Sequence, residues 1–209
     1  MQTVVISNET LKAELLAQLP GHSTGLLFIS DISEWPQESS SDACIDLLFD
    51  GTRERTAALR QKNCRITIVN DVLHTLEETD PGFIRINGWP GFLQRTVIEA
   101  AGPGDVREDA NKLFTSIGKN TEWVPDICGF ISTRVVAAII NEAFYSLEEN
   151  LSSENEIDTA MKLGTNYPFG PVEWAAKIGV KNLHDLLTKL SAEDARYLPC
   201  KLLDKKALA

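Results

Sequence analysis

The fold class the sequence predicts is α/β plus all-α: a mostly parallel sheet followed by a helical segment. Two observations predict it. Through the first hundred residues, short apolar runs of strand length alternate with runs of helical period, the pattern of βαβ units. After Gly102-Pro103-Gly104 nearly all periodicity is helical. The 209 residues allow one large domain or two small ones, and the break sets the expected domains at 1–102 and 103–209.

Each element has its own signal. Thr3 to Ile6 reads as a strand and Leu11 to Leu19 as a helix with Leu11, Leu15, Leu16 and Leu19 on one face. Leu26 to Ile29 is a buried-strand run ending near Asp31, followed by a polar loop through Ser39, Ser40 and Ser41. Ile45 to Phe49, a polar helix from Thr52 to Lys62, and Arg65 to Val69 complete a strand-helix-strand unit. Phe83 to Pro90 alternates like a strand running into a turn, placing Arg85 and Asn87 on one face and Ile84 and Ile86 on the other. Beyond the break, a helix from Asp105 to Ile117 and a short segment at Trp123 precede a long helix from Gly129 to Asn150. Its apolar run Val135 to Ile140 predicts burial nearly all round. Ser153-Glu154-Asn155-Glu156 is a capping box and Gly164 a helix stop; Pro171 opens another helix, with Asn182 and Ser191 as caps for two more.

Composition narrows the function. Twenty Lys and Arg against thirty Asp and Glu give a net charge of -10, which argues against nucleic acid and anionic lipid as partners. No apolar run is long enough for a membrane span. The four cysteines and three histidines (His22, His74, His184) are scattered, so neither a zinc site nor a redox motif is expected. The opening Met-Gln-Thr-Val-Val is not a secretory signal, so reduced thiols in a cytoplasm are expected.

The turn after the first strand bears on any dinucleotide site, where a glycine fingerprint lets the backbone approach a pyrophosphate. Here it reads Ser7-Asn8-Glu9-Thr10. Ser7 or Asn8 caps the helix, and Glu9 sets a carboxylate at its positive end, where it repels a diphosphate. Asp31 stands where such sheets carry an acid for ribose hydroxyls, and its plainer reading is a turn residue. His74 is read as a structural residue rather than a base. Arg85 can grip an anionic group bidentately, but surface pairing with a carboxylate is the expected reading.

The most specific signal is in the second half: Asp126-Ile127-Cys128-Gly129-Phe130-Ile131-Ser132-Thr133-Arg134, Asn141-Glu142-Ala143-Phe144, Glu156 to Gly164, and Tyr167-Pro168-Phe169-Gly170-Pro171. In order and spacing it resembles the helical C-terminal domain of the L-3-hydroxyacyl-CoA dehydrogenase family, over a motif core of 123–187. The resemblance implies a Rossmann-like nucleotide domain before it, here shortened and degenerate, with Asn87-Gly88-Trp89-Pro90 similar to the family's Asn-Pro-x-Pro turn. It implies NAD-dependent oxidation of a 3-hydroxyacyl-CoA by a His with an orienting Glu. Those positions hold Ile84 and Thr96, and a family asparagine before Arg134 is replaced by Thr133.

The catalytic residues are therefore unassigned, and Arg85, Asn87, Thr133, Tyr167 and Asp31 remain as ligand-binding candidates. No cofactor is expected. The favoured expectation is a family member without dehydrogenase chemistry, binding an acyl-CoA-type ligand or forming a homodimer through its helical domain. The alternatives are an active NAD-dependent oxidoreductase of fatty-acid or butyrate metabolism with displaced residues, in which Glu99 substitutes for the acid only if the register slips, and a protein-interaction module.

Overall fold

A computed structural model of the protein describes residues 2–19, 25–36 and 41–208. Ser39, Ser40 and His22 lie outside the described residues. The chain forms two compact units, Met1–Phe130 and Ile131–Ala209.

The first unit is built on strands β1 (Thr3–Ile6), β2 (Leu26–Ile29), β3 (Ala43–Asp46), β4 (Ile66–Asn70), β5 (Ile84–Ile86), β6 (Val97–Ala101) and β7 (Asn120–Trp123). They make one sheet in the order β2-β1-β3-β4-β5-β6-β7, parallel at every pairing except β5 with β6. Its helices are α1 (Glu9–Leu15), α2 (Arg53–Arg60) and α3 (Arg107–Ser116). The period-two pattern decides which helix covers which face. Val5, Ile45, Ile68 and Ile84 stand side by side across four strands and pack with Leu11 and Leu15 of α1 and Leu113 and Phe114 of α3. The alternate positions Val4, Ile6, Cys44 and Val69 pack on the other face with Leu59 of α2 and Phe83. Each such fully buried side chain contributes about 1.5–3 kcal/mol.

The second unit comprises α4 (Ser132–Glu148), α5 (Glu154–Thr165), α6 (Pro171–Ile178), α7 (Val180–Ser191) and α8 (Lys201–Ala207). The capping box at Ser153 and Glu156 forms, and Pro171 is the first residue of α6.

Several expectations are revised. The glycine and proline at 102–104 break the chain but not the sheet, because the Trp123 segment is strand β7 and pairs in parallel with β6. The compact units accordingly divide at Phe130 and Ile131, not at Gly102. Helix α4 begins at Ser132 rather than Gly129, since Gly129 and Phe130 both have positive φ. Gly164 lies inside α5, which ends at Asn166 in the left-handed conformation (φ 55°). Gly179 joins α6 to α7, so Asn182 is within α7, and Ser191 is that helix's last residue. Finally, α4 is not buried all round: Val135 and Ala138 are exposed.

Candidate functional site

In a parallel α/β sheet, ligands bind beyond the carboxyl ends of the strands, and the chemistry-bearing residues of the first unit gather there. At the end of β1, Asn8 caps α1 by accepting from the Leu11 amide at 2.9 Å. The Ser7 amide donates to the Ile29 carbonyl of β2 at 3.0 Å, and the Ser7 hydroxyl donates to the Asn8 carbonyl. Glu9 occupies the first turn of α1. Beyond β2, Asp31 caps a short 3-10 turn, accepting from the Ser33 amide at 2.8 Å, and these Ser33 hydrogen bonds hold its carboxyl below the ordinary value. Asp31 is thus a turn residue.

Asp46, at the end of β3, is fully buried and held bidentately by Arg55 of α2 at 2.7 and 3.1 Å. Burial pushes its carboxyl up, against the pull of the guanidinium. Arg55 also approaches Asp31 at 3.8 Å. One arginine therefore stands between two carboxylates beyond the carboxyl ends of β2 and β3, and its charge is already matched.

Beyond β4 and β5 the contacts tighten. Asn70 accepts from the Gly88 amide at 3.0 Å and donates to the Leu47 carbonyl at 3.2 Å. A side chain at position 88 would lie 2.8 Å from Asn70 Cγ, so glycine is required by this approach. Asn87 is buried, and its side-chain amide donates to Glu99 Oε2 at 3.0 Å.

Glu99 was expected to serve only after a register slip. In the structure the antiparallel register pairs Arg85 with Ala101 and Ile86 with Ala100, which brings Glu99 opposite Asn87. Thr96, the position taken for the acid, is exposed before β6 begins and uses its carbonyl to accept from the Asn120 amide. The cause is the long turn between β5 and β6; the signal that could have found it is the strand-like run Val97-Ile98-Glu99-Ala100. Ile84 is fully buried in the sheet core.

Arg85 does not pair at the surface. Its side chain is completely buried, donates to the Asp71 carbonyl at 3.0 Å, forms an ion pair with Asp126, and lies 4.7 Å over the Phe130 ring. Alternation correctly set it on the face opposite Ile84, but that face is closed by the segment 124–130. Asp126 also accepts from the Leu76 amide at 2.8 Å. His74 is held by Asp71, with Nδ1 at 3.1 and 3.2 Å from the two carboxylate oxygens. The ring fits because residue 51 is glycine: a Cβ there would lie 2.4 Å from Cε1.

In the second unit, Thr133 is buried in the first turn of α4, and its hydroxyl has no hydrogen-bond partner among the described residues. Tyr167 borders an apolar cavity of about 10 Å³ with Val136, Ile140, Met161, Phe169 and Trp174. A space of that size holds at most about one water. Among the described residues no group of His, Cys, Asp and Glu is arranged to hold a metal ion, and no helix is long and apolar enough to cross a membrane.

Comparison with known proteins places this arrangement. The profile of the 3-hydroxyacyl-CoA dehydrogenase C-terminal domain matches residues 129–209. The 3-hydroxyadipyl-CoA dehydrogenase of Escherichia coli K12 is 33% identical over 162 residues, covering 72% of this chain and 34% of that protein. A probable 3-hydroxybutyryl-CoA dehydrogenase of Bacillus subtilis is 38% identical over 99 residues, covering 46% and 34%. The chain thus spans about a third of the curated relatives' length. The crystal structure of M. tuberculosis FadB2 shares the fold at a TM-score of 0.76 with 14% identity, covering 98% of this chain and 92% of that one. An Escherichia coli K12 3-hydroxybutyryl-CoA dehydrogenase structure is 32% identical with a TM-score of 0.59, covering 68% and 31%. Through its helical half, the chain carries the C-terminal domain of the 3-hydroxyacyl-CoA dehydrogenase family.

Proposed function

We propose that the protein is a 3-hydroxyacyl-CoA dehydrogenase-like subunit without NAD-dependent dehydrogenase chemistry, acting as an acyl-CoA-type ligand-binding or dimerising scaffold. One observation carries the reading: the position expected to accept the substrate's proton holds Ile84, sealed in the sheet core. Isoleucine has no proton-accepting atom, and loss of a general base alone removes about 10²- to 10⁴-fold of rate. The turn after β1 adds to it. The Ser7 amide is bound to β2 and the Leu11 amide to Asn8, while Glu9, Asp31 and Asp46 set negative charge nearby, so the residues present do not fit a diphosphate. The exposed residues Val135 and Ala138 of α4, with Ile131 just before the helix, support an association surface on the helical unit.

The test is an assay of NADH formation from 3-hydroxybutyryl-CoA. The expected result is no turnover above background. Ordinary enzymatic rates would overturn the proposal. A second reading, a dehydrogenase with displaced groups, draws on the pairs His74–Asp71 and Asn87–Glu99; the same assay decides it, because only that reading expects turnover, lost in His74→Gln.

A further inference from the structure

We infer that the cleft between the end of α2 and the chain entering β5 is a binding site for a small monoanionic carboxylate with an apolar body. The inference does not rest on the reading above. The cleft lies on the α2 face of the sheet toward the amino end of β4, whereas Ile84 packs on the opposite face and the turns after β1, β2 and β3 lie beyond the carboxyl ends.

The cleft follows from how β4 begins. Helix α2 ends at Arg60, and Asn63 turns the chain in the left-handed conformation (φ 50°), so that Cys64 and Arg65 lead directly into Ile66. The alternation that buries Ile66 and Ile68 under α1 and α3 turns Thr67 and Val69 toward α2. With the buried Leu59 and Phe83, Thr67 borders a space of about 310 Å³. Small-molecule sites begin at roughly 300 Å³. Thr67 is only 8% exposed, yet its hydroxyl has no hydrogen-bond partner among the described residues. Buried hydroxyls are normally satisfied, and this one lines the cleft.

Two guanidiniums border the same space. Arg60 donates through Nε to Asp80, and Arg65 pairs through Nη2 with Asp109 of α3. Neither has another partner among the described residues, so a carboxylate fixes each side chain while most of its donors stay unused. Fixing the donors in advance lowers the ordering cost of binding.

Charge selects the ligand. Asp80 is buried, and burial opposes its ionisation, but Arg60 and the Gly82 amide hold its carboxyl below the ordinary value, so it is charged at neutral pH. Burial pushes the Cys64 thiol up to about 11, so it is neutral there. Asp109 lies outside the lining and also faces Lys112 at 3.8 Å. The lining therefore holds one net positive charge, which a carboxylate matches and a phosphate dianion exceeds. Two carboxylate oxygens also suit guanidinium donors, with the Thr67 hydroxyl as a further donor. Leu59 and Phe83 supply the apolar contact, and a volume of about ten waters keeps the ligand small.

The experiment titrates the purified full chain with cyclohexanecarboxylate and follows its backbone amides by two-dimensional NMR. Saturable shifts centred on Thr67 and Gly82 are expected, with a Kd of about 1 mM or tighter. Cyclohexanecarboxamide, the neutral analogue, and cyclohexyl phosphate, the dianion, bind more weakly. Arg65→Met, at a side chain 73% exposed and so without consequence for folding, weakens the carboxylate about tenfold. Thr67→Val keeps the shape, removes the hydroxyl and weakens it about threefold. No saturable shift, binding that either variant leaves unchanged, equal binding of the carboxamide, or tighter binding of the phosphate overturns the inference.

Discussion

Lys119 is a cation in the interior of the first unit. Its ammonium is buried, donating to the Leu93 carbonyl at 2.5 Å and the Arg95 carbonyl at 3.0 Å. Burial lowers its pKa to about 8, whereas an unfolded lysine keeps its proton to about 10.4. Between these values the unfolded chain binds more protons than the folded one, so this group makes stability rise with pH across that window. Below pH 8 its full cost is present. Urea unfolding at pH 7.5, 8.5 and 9.5 should show a steeper rise for the native protein than for Lys119→Met; equal slopes would remove this account.

Asp158 of α5 illustrates the opposite case, a buried charge that is well satisfied. Its two oxygens accept from the Val172 and Glu173 amides at 2.8 and 3.1 Å, capping α6 in place of the side chain that Gly170 lacks. A Cβ at Gly170 would lie 2.2 Å from Asp158 Oδ1. Asp158→Ala is expected to cost about 1–2 kcal/mol by loss of the cap. Gly170→Ala should also destabilise, by forcing the carboxylate out of its position, with both effects read from thermal unfolding.

At the scale of elements, β5 is a three-residue strand fastened by its central side chain. Arg85 ties it to the loop after β4 and to the segment 124–130 through Asp126 and Phe130. Removing the guanidinium leaves Asp126 beside a buried cavity without its counter-ion, and Arg85→Met is expected to cost about 3 kcal/mol. A double-mutant cycle with Asp126→Asn isolates the pair, and a coupling below about 0.5 kcal/mol would show that packing, not the ion pair, dominates. The same strand explains the sequence's success and failure at the site. Alternation put Ile84 and Arg85 on opposite faces correctly. Which acid stands beside Asn87 depended on the length of the β5–β6 turn, a quantity that hydrophobic pattern does not encode.

For the whole molecule, the net charge of -10 and the carboxylates beyond β1, β2 and β3 point to one outcome with nucleotides. NAD should leave the melting temperature unchanged at millimolar concentration, where a ligand at a hundred times its Kd would add about 2.7 kcal/mol. A clear upward shift would show that the diphosphate is accommodated despite the capped turn. Acetoacetyl-CoA and CoA in the same measurement distinguish the ligand-binding form of the scaffold, which predicts a rise, from the purely dimerising form, which predicts none.

The sequence by itself determined the class and order of β1 to β5 and the two helices among them, because apolar period is a local property: four-residue strands such as Thr3–Ile6, the capping box at Ser153, and the motif series from Asp126 to Pro171 are written in neighbouring residues. It also determined that the turn after β1 lacks glycines. Tertiary structure alone decided where the first unit ends, since β7 belongs to it through pairing with β6 and not through any feature of its own four residues. It alone decided that Arg85 is interior and Glu99 faces Asn87. Both depend on which distant segment closes a face or returns antiparallel, and side-chain chemistry specifies a partner's type without specifying its address.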